Sequence, residues 1–209
     1  MTEHRLHSRT ALQLSLTLLP CGAVEPEELD HLAALLSAKG MRVTIARERP
    51  IPPAAFKAVR QQYRADSFLK LARNESGERV LAITNYDLYA DNLNFVFGMA
   101  DAPGRCAVIS FCRLRMGVDR ETFRRRAAKE AVHELGHTLG LAHCRDPRCV
   151  MHFSNSLAHT DRKGCDWCAA CERKIDLIPG CIPVGKNSEV RDGCRDSKEA
   201  NVRRANQTA

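Results

Sequence analysis

Aromatic residues and long apolar runs are both scarce in this chain of 209 residues, and Phe, Tyr and Trp together make up 5% of it. The net charge of +7 could suit an acidic partner. However, no basic stripe interleaved with aromatic residues is found, so nucleic-acid binding is not expected. No stretch approaches the roughly 18 apolar residues of a transmembrane helix, so no membrane span is expected. No internal repeat is found either.

An export signal is also missing, although residues 9–21 superficially resemble one. Four leucines in this region alternate with polar residues, at Leu12, Leu14, Leu16 and Leu18. That alternation is the period of a half-buried β-strand, and Pro20 before Cys21 fits no small-residue cleavage site. We therefore predict a first strand here, in a cytoplasmic protein.

The composition, 44% hydrophobic and 27% charged, is that of an ordinary globular protein. The length allows one domain with a full core plus a tail. The patterns predict strand, helix, strand, helix and three strands, in order at residues 12–18, 25–40, 41–48, 61–73, 79–89, 94–100 and 105–115. This order predicts a mixed α/β layer.

The longest predicted helix begins near Arg120, with Asp119 as its cap, and extends to Leu139. Its buried stripe, at four-three-four spacing, consists of Ala128, Val132, Leu135 and Leu139. Gly140 then ends the helix. A second, shorter helix is predicted from about Asp166 to Leu177.

Three histidines at the end of the long helix have the spacing of metal ligands. His133 and His137 lie one turn apart on the same side, and Gly140 lets the chain turn sharply so that His143 can return as a third ligand. Three neutral imidazoles leave Zn²⁺ one open position, which is typical of a catalytic site. Glu134, a quarter turn away, can reach a water on the metal and act as general base. The alternatives are a closed histidine site or an ordinary amphipathic helix.

Two cysteine pairs, the second a C-x-x-C, predict a closed tetrahedral Zn²⁺ site formed by Cys144, Cys149, Cys168 and Cys171. This structural site would attach the loop that carries His143 to the C-terminal helix. It would also hold the thiolate of Cys144 away from the catalytic metal.

The other cysteines leave alternatives open. Cys165 could replace Cys168 as a ligand, or an iron–sulfur cluster could form instead. Buried thiols are expected at Cys106 and Cys112, and no partner pattern is found for Cys21, Cys181 and Cys194. A disulfide framework is the other possibility, but the zinc-like clustering and the missing export signal argue against it.

The run from His133 to His143, HELGHTLGLAH, resembles the extended zinc motif of the metzincin metallopeptidases. With the four clustered cysteines and Met151, it resembles the archaemetzincins within that clan. The resemblance is specific over residues 133–171 and looser upstream. It implies an α/β (α+β) fold with a twisted mixed sheet and two long helices above a zinc cleft, and a small irregular C-terminal subdomain with a helix.

The resemblance also implies roles for single residues and for whole segments. Met151 would form a hydrophobic floor beneath the catalytic metal, and an edge strand within residues 105–114 would line the cleft. Some metzincins have a tyrosine two residues after that methionine, whereas Phe153 stands here. The implied catalytic domain covers residues 1–178, divided into an upper subdomain 1–140 and a lower, zinc-stabilised subdomain 141–178. Residues 179–209 would form a mobile tail.

The first functional hypothesis is a monomeric zinc peptidase with two Zn²⁺ ions that hydrolyses peptide or protein substrates. The second is a zinc-stabilised binding module for peptides or proteins, with little general hydrolysis. An intact Glu134 favours the enzyme, because a pure binding module has no need of a general base. The substrate, the choice between endo- and aminopeptidase action, and the roles of Cys165, Cys181 and Cys194 remain open at this point.

Overall fold

A computed structural model describes residues 14–176, so the predicted tail, with Cys181 and Cys194, lies outside the described residues. The strands are β1 (Ser15–Pro20), β2 (Arg42–Ile45), β3 (Phe56–Lys57), β4 (Gln62–Arg64), β5 (Arg79–Thr84), β6 (Leu88–Tyr89), β7 (Gly98–Ala100) and β8 (Cys106–Ser110). The helices are α1 (Pro26–Ala38), α2 (Ala65–Arg73), α3 (Phe111–Leu114), α4 (Arg120–Thr138), α5 (Leu157–Arg162) and α6 (Ala169–Asp176). Within the described range, no helix combines the length and apolarity needed to cross a bilayer.

The main sheet has five strands in the order β2-β1-β5-β8-β7. The first four are parallel, and β7 runs antiparallel to β8. A second, three-stranded sheet has the order β3-β4-β6. The predicted α/β fold with a mixed sheet is therefore confirmed.

Helices cover both faces of the main sheet, which explains why its central strands are apolar throughout. Leu81 and Ile109 face α1 and α4, whereas Ala82 and Val108 face α2. Successive side chains of a strand point to opposite faces, so the same strands supply both cores. Every residue of β8 is buried, as is typical of strands with both faces covered.

The two long helices are α1 and α4, as predicted, and they pack against each other. The carboxylate of Asp119 accepts a hydrogen bond of 2.7 Å from the backbone N–H of Thr122, so Asp119 caps α4 as predicted. The predicted stripe is buried in full, at Ala128, Val132, Leu135 and Leu139. This stripe anchors the helix against the sheet.

The helix predicted over residues 61–73 begins later than expected, at Ala65 instead of near Gln61. Gln61 has a left-handed φ of 54°, and the following three residues form β4, which pairs with β3 and β6. Backbone groups already bonded between strands cannot begin a helix. Phe68 and Leu69 of this helix are buried, whereas Leu71 is only half-buried.

The edge of the sheet also differs from the expectation. Residues 105–114 contain β8, which lies between β5 and β7, so the edge strand is β7. The Ser110 side chain accepts a hydrogen bond of 3.2 Å from the Cys112 N–H and caps α3, which ends β8.

The short helix α5 was not predicted, because six residues are too few for a helical pattern to show.

Several polar contacts attach α5 to α4. The guanidinium of Arg126 donates two hydrogen bonds of 2.6 Å to the carboxylate of Asp161. The ammonium of Lys129 donates to the backbone carbonyls of Thr160 and Asp161, at 3.2 and 2.9 Å. These bonds connect the long helix directly to the segment that follows Met151.

A buried ion pair completes this attachment. Lys163 Nζ lies 3.0 Å from Glu130 Oε1, and the two side chains are 0% and 4% exposed. Among the described residues, no acceptor has hydrogen-bond geometry with Nζ of Lys163. Two charges withdrawn from water in this way depend on each other, because either one alone would be buried without compensation.

We predict that Lys163→Met lowers the free energy of unfolding by about 3–5 kcal/mol, because it leaves the carboxylate of Glu130 buried without its cation. Urea unfolding of the zinc-loaded protein measures the loss. The control is the double variant Glu130→Gln with Lys163→Met, which removes both charges and should recover most of the stability. Equal instability of the single and double variants would contradict this account.

Candidate metal centres and active site

The three predicted histidine ligands come together at the C-terminal end of α4. Their ligand nitrogens all lie within 4.8 Å of one another. His133 and His137 project from the last turns of the helix, and the chain then turns at Gly140, whose φ is 82°. That positive φ favours glycine and returns His143 to the other two rings, with ring centroids 5.4 Å from His133 and 4.8 Å from His137.

Backbone carbonyls orient two of the imidazoles. Nδ1 of His133 donates to the carbonyl of Val150 at 2.8 Å, and Nδ1 of His137 donates to that of Leu141 at 2.7 Å. A carbonyl can only accept a hydrogen bond, so each of the two neutral rings carries its proton on Nδ1. The Nε2 atoms of both rings are therefore unprotonated, or bare. This is the usual arrangement around a metal-binding histidine.

The two bare Nε2 atoms of His133 and His137 are 3.2 Å apart. Two lone pairs facing each other at this distance repel unless a cation lies between them. Tetrahedral zinc with Zn–N bonds of about 2.0–2.1 Å separates its ligand nitrogens by about 3.3 Å. The donor chemistry and the spacing therefore fit a zinc ion.

The electrostatics keep the imidazoles neutral. Burial, assisted by the charge of Lys163, lowers the pKa of His133 from its ordinary value to about 2. Burial is also the main cause that lowers the pKa values of His137 and His143. Because only a neutral imidazole binds a metal, these shifts favour metal binding near neutral pH.

Glu134 lies beside this group, on the turn of α4 between His133 and His137, and is 5% exposed. Burial and the nearby carboxylate of Glu130 raise the pKa of Glu134 well above its ordinary value. Its side chain is therefore placed in a nearly dry environment.

The four predicted thiols form a second group, with all sulfurs within 4.8 Å of one another: Cys144, Cys149, Cys168 and Cys171. Two of the Sγ–Sγ distances are 3.7 and 3.8 Å. A tetrahedron with Zn–S bonds of about 2.3 Å has an edge of about 3.8 Å. The cluster therefore has the size of a closed zinc site.

Hydrogen bonds prepare one of these sulfurs as a thiolate. Burial alone would raise the pKa of Cys168, but hydrogen bonds from the Cys171 backbone and the Cys144 thiol outweigh it and lower the pKa to about 7. The Cys168 N–H in turn donates to the sulfur of Cys149 at 3.3 Å. Such bonds stabilise the ionised form, which is the form that binds a metal.

Comparison with known proteins identifies the family. The sequence profile of peptidase family M54 matches residues 53–177. The chain belongs to peptidase family M54. It is a zinc metallopeptidase, and the predicted resemblance to archaemetzincins is confirmed.

Relatives within the family match over most of the described region. An archaemetzincin of Methanopyrus kandleri is 50% identical over 123 residues, which cover 58% of this chain and 70% of the relative. An archaemetzincin of Halobacterium salinarum strain R1 is 40% identical over 169 residues, or 76% of this chain and 97% of the relative. The crystal structure of the Archaeoglobus fulgidus archaemetzincin complexed with malonate is 36% identical, with a TM-score of 0.71, and covers 78% of this chain and all 100% of that one.

Cys165 lies outside the four-thiol group of this M54 peptidase. It is disulfide-bonded, so the structure favours the original four cysteines over an exchange of Cys165 for Cys168. The other described cysteines are free, and Cys106 is buried as predicted, whereas Cys112 is partly exposed. Clustering thus distinguished the metal-type thiols, but it gave no sign that Cys165 would be oxidised.

Met151 is fully buried under the last turns of α4. Its carbonyl accepts a hydrogen bond of 2.9 Å from the Cys144 N–H, which joins the two halves of the cysteine loop. Gly136 makes this position possible, because a Cβ there would collide with the sulfur of Met151 and lie 3.0 Å from Trp167 Nε1. The methionine therefore lies directly against the helix turn between the two histidines.

Phe153 borders the histidine group from the solvent side. Its ring is 52% exposed, and its centroid lies 5.0 Å from that of His143, with the ring planes at 63°. The side chain offers an apolar wall and no hydroxyl at this position.

Sequence reasoning missed two groups of residues near the site. Lys163 and Glu130 show no local pattern, because 33 positions separate them along the chain and only the fold brings them together. Gly98 and Gly136 carry no side chain, and their importance lies in what approaches them. The glycine inside the HELGH run was the one available signal, since glycine is unfavourable within a helix.

We predict that His133→Ala lowers the zinc content by one equivalent and leaves the fold intact, because the buried stripe and the thiol group still hold the structure. Cys149→Ser is expected to lose the other equivalent together with soluble folding, since structural zinc binding drives folding. Zinc content by atomic emission, together with circular dichroism, measures both. If the two variants unfold equally, the histidine site is as important for folding as the cysteine site, and the prediction is wrong.

Proposed function

We propose that this chain hydrolyses peptide bonds at a zinc ion held by His133, His137 and His143. A second, structural zinc would be held by Cys144, Cys149, Cys168 and Cys171. The observation that supports the first site is the pair of Nε2 atoms 3.2 Å apart, which is close to the separation of two nitrogen ligands on one zinc ion. The division into subdomains 1–140 and 141–178 is part of the same proposal.

Zinc, when bound, supplies Lewis acidity that acidifies a water molecule and polarises a substrate carbonyl. Glu134 would accept the proton of the attacking water and then deliver it to the departing amine. Its place on α4 directly after His133 supports this role, as does its nearly dry environment, because a carboxylate with a raised pKa binds a proton more readily. Met151 would support the ligands from below as an apolar floor.

The substrate would lie along β7. This strand pairs with β8 on one side, and its other edge has no strand partner among residues 14–176. A peptide in extended conformation can add to such an edge through backbone hydrogen bonds. A peptide or protein in this place would bring a scissile carbonyl past Glu134, because β7 contacts α4 directly. The predictions of a monomer and of a cytoplasmic location stay predictions.

We expect the zinc-loaded protein to cleave members of a diverse peptide library, and Glu134→Gln to abolish cleavage while it keeps both zinc ions. Glutamine has nearly the same shape but cannot accept the proton of the attacking water. Mass spectrometry of the products measures cleavage and shows directly whether ends or internal bonds are cut. Equal cleavage by the variant would exclude Glu134 as general base, and no cleavage by either protein would favour a binding role for the fold.

A further inference from the structure

Gly98, in the edge strand β7, lies directly against Glu134. A Cβ at this position would be 2.6 Å from Glu134 Cγ and 2.7 Å from Glu134 Oε1. It would also lie 2.8 Å from the backbone carbonyl oxygen of Val108 in the neighbouring strand. Carbon atoms normally approach to about 3.5–4.0 Å, so any side chain at position 98 must displace its neighbours.

Backbone conformation does not explain the glycine. Several glycines of this chain have a positive φ, among them Gly40 and Gly140, but Gly98 is not one of them. Gly98 pairs with Ile109 in the antiparallel ladder of β7 and β8, so no left-handed conformation requires a glycine here. What favours a glycine here is the lack of space for a side chain, because the Glu134 side chain and the Val108 carbonyl both occupy it.

Packing is also what determines the position of the Glu134 side chain. Among the described residues, the side chain of Glu134 makes no hydrogen bond and no ion pair. The neighbouring histidines are different, because backbone carbonyls orient His133 and His137. The backbone of Gly98 is therefore a contact that limits where the carboxylate of Glu134 can lie.

We propose that Gly98 is a positioning residue: its missing side chain lets β7 hold the carboxylate of Glu134 where the reaction needs it. The inference rests on the proposed role of Glu134 as general base. A methyl group at position 98 would push the carboxylate by roughly 1 Å, a displacement that can lower a rate on the order of a hundredfold. The same strand would then bind the substrate and position the base.

The first test compares the kinetics of Gly98→Ala with those of the wild type, on a peptide that the wild type cleaves. We expect kcat to fall by about tenfold to a hundredfold, with KM and zinc content unchanged, because neither the histidines nor the outer edge of β7 is altered. The control is Gly77→Ala, where a Cβ would lie 2.6 Å from Thr17 Oγ1 and contact no residue of the site. Because Gly77 also has a φ of 138°, this variant adds backbone strain to the steric clash, and it should still leave kcat unchanged.

The second test reads stability and needs no activity. Gly98→Ala is made alone and together with Glu134→Ala, and thermal midpoints are compared as a double-mutant cycle. We expect the fall in midpoint to be much smaller in the Glu134→Ala background, because the Cβ then meets only the Val108 carbonyl. Folding of the double variant alone, with the single variant insoluble, would support the proposal equally.

Three outcomes would overturn the proposal: a wild-type kcat in Gly98→Ala, a loss of zinc in that variant, or an equal fall in midpoint in both backgrounds. The last would identify the Val108 carbonyl as the contact that matters. Glu134→Gln separates this failure from that of the proposed function. If Glu134→Gln is active, Glu134 is not the general base and the proposed function fails. If Gly98→Ala has the wild-type kcat while Glu134→Gln is inactive, only the proposed role of Gly98 fails.

Discussion

Two imidazole nitrogens held 3.2 Å apart, each with its proton on the far side of the ring, are the constraint on which the candidate active site depends. The arrangement is repulsive without a cation, and two backbone carbonyls maintain it. One of them belongs to Val150, which directly follows Cys149 of the four-thiol group. The thiol group thus determines the course of the loop that orients His133. A structural zinc at the thiols would therefore prepare the ligand set of the catalytic zinc.

The second requirement is a firm connection between α4 and the segment after Met151, and polar groups supply it. Buried charges are expensive to place in a core, yet the Lys163–Glu130 pair lies in the space between these elements. An apolar contact is non-directional, whereas the Arg126–Asp161 fork permits one relative position. Such a connection suits a site whose residues come from α4 and from the segment that follows it, and whose relative positions must be accurate.

The motif residues could be predicted from sequence because helical geometry and metal chemistry are local. Spacings of four residues on a helix and a C-x-x-C pair restrict their side chains to a few arrangements, and the structure brings both predicted groups together. The capped helix and its buried stripe followed from period and end signals in the same way. Predictions failed where a partner distant in sequence decided the outcome. Residues 62–64 pair with other strands in place of extending α2, and β7 in place of β8 forms the edge.

The sequence by itself therefore determined the donor atoms, the family resemblance and the order of the main elements. These depend on residue type and on contacts within a turn or two of helix. Only the tertiary structure decided which strand borders the active site, which buried cation faces Glu130, and why residue 98 must be glycine. Each of these is a contact between segments far apart along the chain. The space that one segment leaves for the other depends on how the two pack together, which neither sequence determines alone.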